Sequence, residues 1–243
     1  MEGKRAENSM RLSYHTLDVF TENPFGGNPL AVVHGAEVLS DAQMQSIARE
    51  FNLSETVFLL PPDNPAHSAR VRIFTPKKEI SFAGHPTVGT AVLLAQMKFK
   101  GRDSSHMDAL IALEETVGIL RVGVRLRAGL APFAEFDAPL LPVQEAPLPQ
   151  SDLLAAGLGL IPSEIGFENH KPVCFSTAGS AFAFIPIASR SALTKARPNK
   201  EHWAAAFRQQ GLIGAYLYSR QCEHTSSAFH VRMFAPDVGI PED

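Results

Sequence analysis

The chain has 243 residues, enough for one large or two medium domains with cores of their own. Its 22 basic and 25 acidic residues leave a net charge of −3 with the two signs mixed, which excludes a basic nucleic-acid-binding face. Two cysteines, Cys174 and Cys222, are too few for a disulfide framework and lack metal-ligand spacing, so the composition reads as that of a reduced, cytoplasmic protein. No uninterrupted apolar run approaches membrane-spanning length.

Residues 1–10 are polar and read as an upstream extension. Residues 12–20 alternate loosely and predict a strand; 25–29 carry a Gly-Gly-Asn-Pro turn, and 29–34 a second strand. The next segment is punctuated as a helix. Ser40 and Gln43 form a capping box, Leu39 and Met44 a hydrophobic staple, and Asn52 a left-handed stop. Met44, Ile47, Ala48 and Phe51 make its buried stripe. Residues 56–60 follow as an apolar strand opened by Glu55, whose carboxylate is either a solvated strand end or a group held inside.

The stretch 69–95 organises the rest. It begins as a strand with Val71 and Ile73 on one face and Arg70 and Arg72 on the other. After Pro76 and a short apolar piece at 80–82 comes Ala-Gly-His-Pro, then a small-residue, apolar run that predicts a helix over 86–97, buried all round, with Pro86 at its first position. The amides near Gly84, His85 and Thr87 would then point out of the helix start and attract a carboxylate, with Gly84 allowing close approach.

Arg72-Ile-Phe-Thr-Pro76 returns as Arg232-Met-Phe-Ala-Pro236 at an offset of 160, each after an alternating strand. A duplicated unit would give two like lobes with a site where their helix starts converge. Between them, the proline-rich 139–149 is the linker. Residues 109–113 and 120–126 predict strands after a polar link at 98–108. In the second lobe, Ser151 and Asn199 predict helix caps, with Gly211 closing the second helix, and 173–177, 181–187, 213–218 and 228–234 predict strands, with 178–180 as a turn. The two arginines of the repeat read as wet-face residues or lobe-internal ion pairs, and Asn28 as part of a tight turn or of a cleft wall.

Taken together, GGNPLAVV, IAREFNLSETVF, RIFTP with ISFAGHPTVGTA, and RMFAP with GIPED resemble the PhzF-like phenazine-biosynthesis isomerases, in order from about residue 12 to the end. The resemblance implies an α+β, diaminopimelate-epimerase-like fold of two pseudo-symmetric lobes, each a curved sheet around a central helix. The lobes would span 11–138, with the central helix at 86–97, and 150–243. It also implies a cofactor-independent isomerase acting on a small carboxylate substrate, with no metal, no nucleic acid and no membrane, as a homodimer. Glu55 would be the proton shuttle, His85 and Asp243 would stand beside the substrate, and Gly84, His85 and Asn28 would bind it. With a gap after Pro236, Asp243 aligns with His85 in the repeat.

The family pattern runs on beyond the last residue here, so the second lobe is expected to be incomplete, without its own central helix. Two other readings follow: a non-catalytic binding protein on the same fold, or an amino-acid epimerase or racemase. The epimerase pattern places cysteines at the two helix starts, where this chain has His85 and, by that alignment, Asp243.

Overall fold

A computed structural model describes residues 11–100, 106–145, 147–177, 180–222, 225 and 227–243. The expected N-terminal extension, part of the polar link and the 178–179 turn lie outside these residues. The chain forms two compact units. One runs up to Phe74 and resumes over Glu79–Asp137; the other joins Thr75–Lys78 to Ala138–Asp243.

In the first unit, β1 (Tyr14–Val19) pairs antiparallel with β2 (Asn28–Val33). Helix α1 (Asp41–Phe51) crosses to β3 (Glu55–Leu60), which lies parallel to β2. The predicted punctuation of α1 is present: Ser40 and Gln43 form the reciprocal capping box, and Asn52 stops the helix at φ 52°. Strand β4 (Ala69–Phe74) is antiparallel to β3, and β5 (Glu79–Ile80) turns back along β4. Helix α2 (Gly84–Lys98) then crosses to β6 (His106–Glu115), parallel to β4, and β7 (Gly118–Arg127) and β8 (Phe133–Glu135) complete the sheet by hairpins.

The sheet is apolar on both faces over its central strands because two helices cover it. Val57, Val71, Ile73, Ile111 and Val122 pack towards α2, while Phe58, Leu60 and Phe74 pack with Met44 and Ala48 of α1. This is why β3 is buried at every position instead of alternating with water. Within α2, exposed residues appear only in the last turn, at Gln96, Met97 and Lys98. The helix starts two residues earlier than predicted, so Pro86 is its third residue. That is tolerated because the first four amides of a helix have no intrahelical acceptor.

The second unit has β9 (Val143–Gln144), α3 (Ser151–Gly157), β10 (Val173–Thr177), β11 (Ser180–Pro186), α4 (Arg190–Lys195), α5 (Trp203–Ala206), β12 (Gly214–Ser219) and β13 (His230–Phe234). Its sheet runs β13-β12-β11-β10-β9, with β11 and β12 parallel. Leu154, Leu158, Ile185, Leu193, Trp203, Phe207 and Phe234 form the core between one sheet face and the helices. The other face carries a row of half-buried rings, Phe175, Phe184 and Tyr216. Two predicted caps differ. Ser151 is the first helical residue rather than the cap, and Asn199 shapes the turn before α5, its carbonyl taking the amides of His202 and Trp203.

Each unit repeats one fastening. Arg72 grips Glu79 with Nε–Oε1 at 2.7 Å and a second bond at 2.6 Å, and its guanidinium lies 5.2 Å from the Phe74 ring centre. Arg232 grips Glu242 at 2.6 and 2.9 Å, 4.8 Å from the Phe234 ring. The arginines are therefore ion-paired within their own units. Ile80 pairs with Ile73, and Asp243 exchanges both backbone hydrogen bonds with Met233. The offset of 160 before the turn becomes 163 between Glu79 and Glu242, because the second turn is longer.

A Cβ on Gly89 would stand 2.7 Å from Val19 Cγ2 and 2.8 Å from Leu30 Cδ2, so α2 approaches β1 and β2 closely there. Gly89→Val is expected to lose about 1–3 kcal/mol by overpacking, read as a lower midpoint in chemical denaturation.

Candidate active site

Strand alternation places the first polar groups. Leu30 and Val32 of β2, and Val57 and Leu59 of β3, all belong to the face that packs on α2. Two residues back along each strand, Asn28 and Glu55 are directed to that same face by the period of two. Parallel pairing sets Leu30 beside Glu55. His85, the second residue of α2, meets both from the helix side.

The site is closed. His85 and Glu55 side chains are 6% and 8% exposed, and His85 Nε2 lies 3.6 Å from Glu55 Oε2. The inward reading of Glu55 therefore holds. The Asn28 side-chain nitrogen stands 3.2 Å from His85 Nδ1. An amide nitrogen can only donate, so Nδ1 accepts and the imidazole proton sits on Nε2, towards Glu55. Asn28 thus orients the ring, where sequence reasoning left it between turn and cleft wall.

The helix start is more selective than expected. A Cβ added to Gly84 would meet nothing within 4 Å, so the space before it is open. Of the three amides expected to face out, that of Thr87 already donates to the Ala83 carbonyl at 3.3 Å and leaves Gly84 and His85 to precede the first helical bond. The positive end of the helix dipole favours negative charge at this point. Asp243 belongs to the second unit, where it is exposed and paired with Met233. A separate cleft of about 620 Å³ runs along the flank of α2 between β1 and β8; neither Glu55 nor His85 lines it.

The family model described as phenazine biosynthesis-like protein matches residues 17–243. The chain belongs to that family. An uncharacterized isomerase of Mesorhizobium japonicum is 45% identical over 95% of this chain and 75% of its own length. The trans-2,3-dihydro-3-hydroxyanthranilate isomerase of Pseudomonas chlororaphis is 33% identical over 95% of this chain and 74% of its own. Among solved structures, a Pseudomonas aeruginosa protein described as a predicted epimerase is 31% identical with a TM-score of 0.76, covering 96% of this chain and 76% of that one.

The α+β fold is that of the PhzF family, shared with the Bacillus anthracis member at TM-score 0.81 over 96% of this chain and 76% of that one, at 24% identity. A proline racemase from Agrobacterium radiobacter shares the fold at TM-score 0.55 and 12% identity, over 92% and 69% of the two chains. For this PhzF-family chain, among the described residues, no helix is long and apolar enough to cross a membrane.

The Asn28 contact has a spectroscopic signature. Nitrogen-15 NMR of the histidine rings should show the Nε2–H tautomer for His85 in the native protein. Asn28→Asp, which offers an acceptor instead of a donor, should move the proton to Nδ1. An unchanged ring signal would remove Asn28 as the orienting group.

Proposed function

We propose that this chain is an isomerase that moves a proton within a small carboxylate-bearing substrate without a cofactor. The observation that carries the reading is the buried pairing of Glu55 with His85 at the start of α2. A carboxylate enclosed with an imidazole suits general acid–base work, since burial excludes competing water and the two groups can hold and return one proton.

In this reading Glu55, ionised, takes a proton from a substrate carbon. The C–H electron pair enters the neighbouring π system, the double bond shifts, and Glu55 returns the proton at a further carbon of the same conjugated system. Nothing is gained or lost overall. His85 donates from Nε2 to charge that develops beside Glu55, and Asn28 keeps the ring in that tautomer. The substrate carboxylate sits at Gly84 and His85, where the helix dipole favours it. The names of the Pseudomonas relatives make trans-2,3-dihydro-3-hydroxyanthranilate the first substrate to try.

Glu55→Gln should keep the fold and lower turnover by roughly 10²-fold or more, the usual weight of a positioned general base. In heavy water, deuterium should enter the product with the native protein and not with the variant. Binding of the same compound with no turnover by the native chain would favour a binding protein instead. A variant that exchanges and turns over normally would remove Glu55 from the mechanism.

A further inference from the structure

Strand β6 ends in two glutamates whose side chains leave on opposite faces. Glu114 turns to the loop before β4. It accepts the amides of Asn64 and Asp63 at 2.9 and 2.7 Å and meets His67 Nδ1 at 2.6 Å, and these bonds, the amides foremost, hold its carboxyl down at about 2. Glu115 turns towards α2. It is 7% exposed, and its Oε1 stands 2.7 Å from Thr87 Oγ1. Burial pushes its pKa up to about 7, against the opposing effect of the Thr87 bond.

The hydrogens around Thr87 can be counted. Its hydroxyl oxygen also lies 2.8 Å from the Ala83 carbonyl. The hydroxyl has one hydrogen for these two acceptors, so both contacts are hydrogen bonds at the same time only when Glu115 is the neutral acid and donates to Thr87. Ala83 immediately precedes α2, and its carbonyl takes the Thr87 amide as well. Hydroxyl and amide together close the first turn around one oxygen. The hairpin behind Glu115 is itself anchored, with the Val117 amide donating to the Ser81 carbonyl at 3.3 Å.

The charged groups of the surrounding elements are engaged elsewhere. Arg70 on β4 goes to Asp63 at 3.2 Å, Glu114 and His67 hold each other, and Arg121 on β7 is exposed. On the helix, His85 is turned to Asn28 and Glu55.

We propose that Glu115 is a positioning residue for the candidate site: a neutral carboxylic acid that fixes the first turn of α2 through Thr87 and releases it on ionising. The inference rests on reading that turn as the catalytic one. Gly84 and His85 lie inside the turn, between Ala83 and Thr87. Ionised Glu115 could only accept, and would draw the Thr87 hydrogen away from Ala83. The imidazole facing Glu55 would then lose its fixed place. Because the fold favours the protonated form, the associated stability is complete below the ordinary carboxylate value of 4.5 and is lost as pH rises through about 7.

The test uses the full chain, with trans-2,3-dihydro-3-hydroxyanthranilate as probe and carbon-13-labelled glutamate for NMR. The Glu115 carboxyl signal should titrate near neutrality, and kcat/KM should fall on the alkaline side with the same midpoint. Glu115→Leu and the near-isosteric Thr87→Val should each lower kcat about tenfold or more with little change in KM, a tenfold change being the size of one lost positioning bond. Glu115→Gln, which still donates to Thr87, should recover most of the loss seen with leucine and abolish the alkaline fall. If Glu115→Leu does not fold, Thr87→Val still decides.

A carboxyl titrating at the ordinary value would overturn the proposal. So would a glutamine variant as damaged as the leucine one, or a Thr87→Val protein with native kcat. Should the native chain turn nothing over, the isomerase reading fails, and the carboxyl titration with and without the Thr87 hydroxyl still decides the state of Glu115.

Discussion

An apolar helix cannot be left in water, and the first unit is arranged around enclosing one. Burying a leucine-sized side chain contributes about 1.5–3 kcal/mol, and α2 places Ala91, Leu93 and Ala95 against a sheet that supplies valines and isoleucines from β2, β3, β4, β6 and β7. Small residues let the contact be close, most of all at Gly89, where the helix approaches β1 and β2. A helix so enclosed has little freedom to shift along its axis. Its axis is consequently held in place, and the groups of its first turn are presented from a fixed base.

The same alternation that builds the core also builds the site. The strand faces that bury Leu30 and Val57 end in Asn28 and Glu55, so polar side chains replace apolar ones where each strand begins. At the end of β6 the period separates Glu114 from Glu115 and sends them to opposite electrostatic fates. Backbone amides stabilise charge on one, and enclosure beside a hydroxyl disfavours it on the other. Two adjacent, chemically identical residues thus differ only in which side of a pleat they occupy.

Much of this was legible in the sequence. The capping box of α1 is local chemistry, and the all-round apolar character of α2 could be read without knowing what covers it. Glu55 was ambiguous because one residue does not reveal its face; Val57 and Leu59 carried that information through the period of two. Glu115 was passed over because a glutamate before a hairpin turn ordinarily meets water, and only the return of α2 over β6 makes it interior. Counting residues does not show that the turn after the repeated strand is longer in the second unit; the Arg232–Glu242 fork, set beside Arg72–Glu79, does.

The short turn after β4 has a consequence for dividing the molecule. Thr75–Lys78 lies between two strands of the first unit yet clusters with the second, where Lys77 Nζ donates to the carbonyls of Pro236 and Asp237 at 3.0 and 3.2 Å. A Cβ added to Gly239, which has φ 91°, would stand 3.2 Å from Lys77 Cγ and 3.3 Å from Pro76 Cβ, so only glycine lets the two turns approach this closely. The chain therefore visits the second unit twice. A cut between Asp137 and Ala138 does not yield two self-sufficient pieces, since the later fragment leaves behind the lysine that satisfies two of its carbonyls. The boundary between the units is a property of contacts in space, and no single peptide bond marks it.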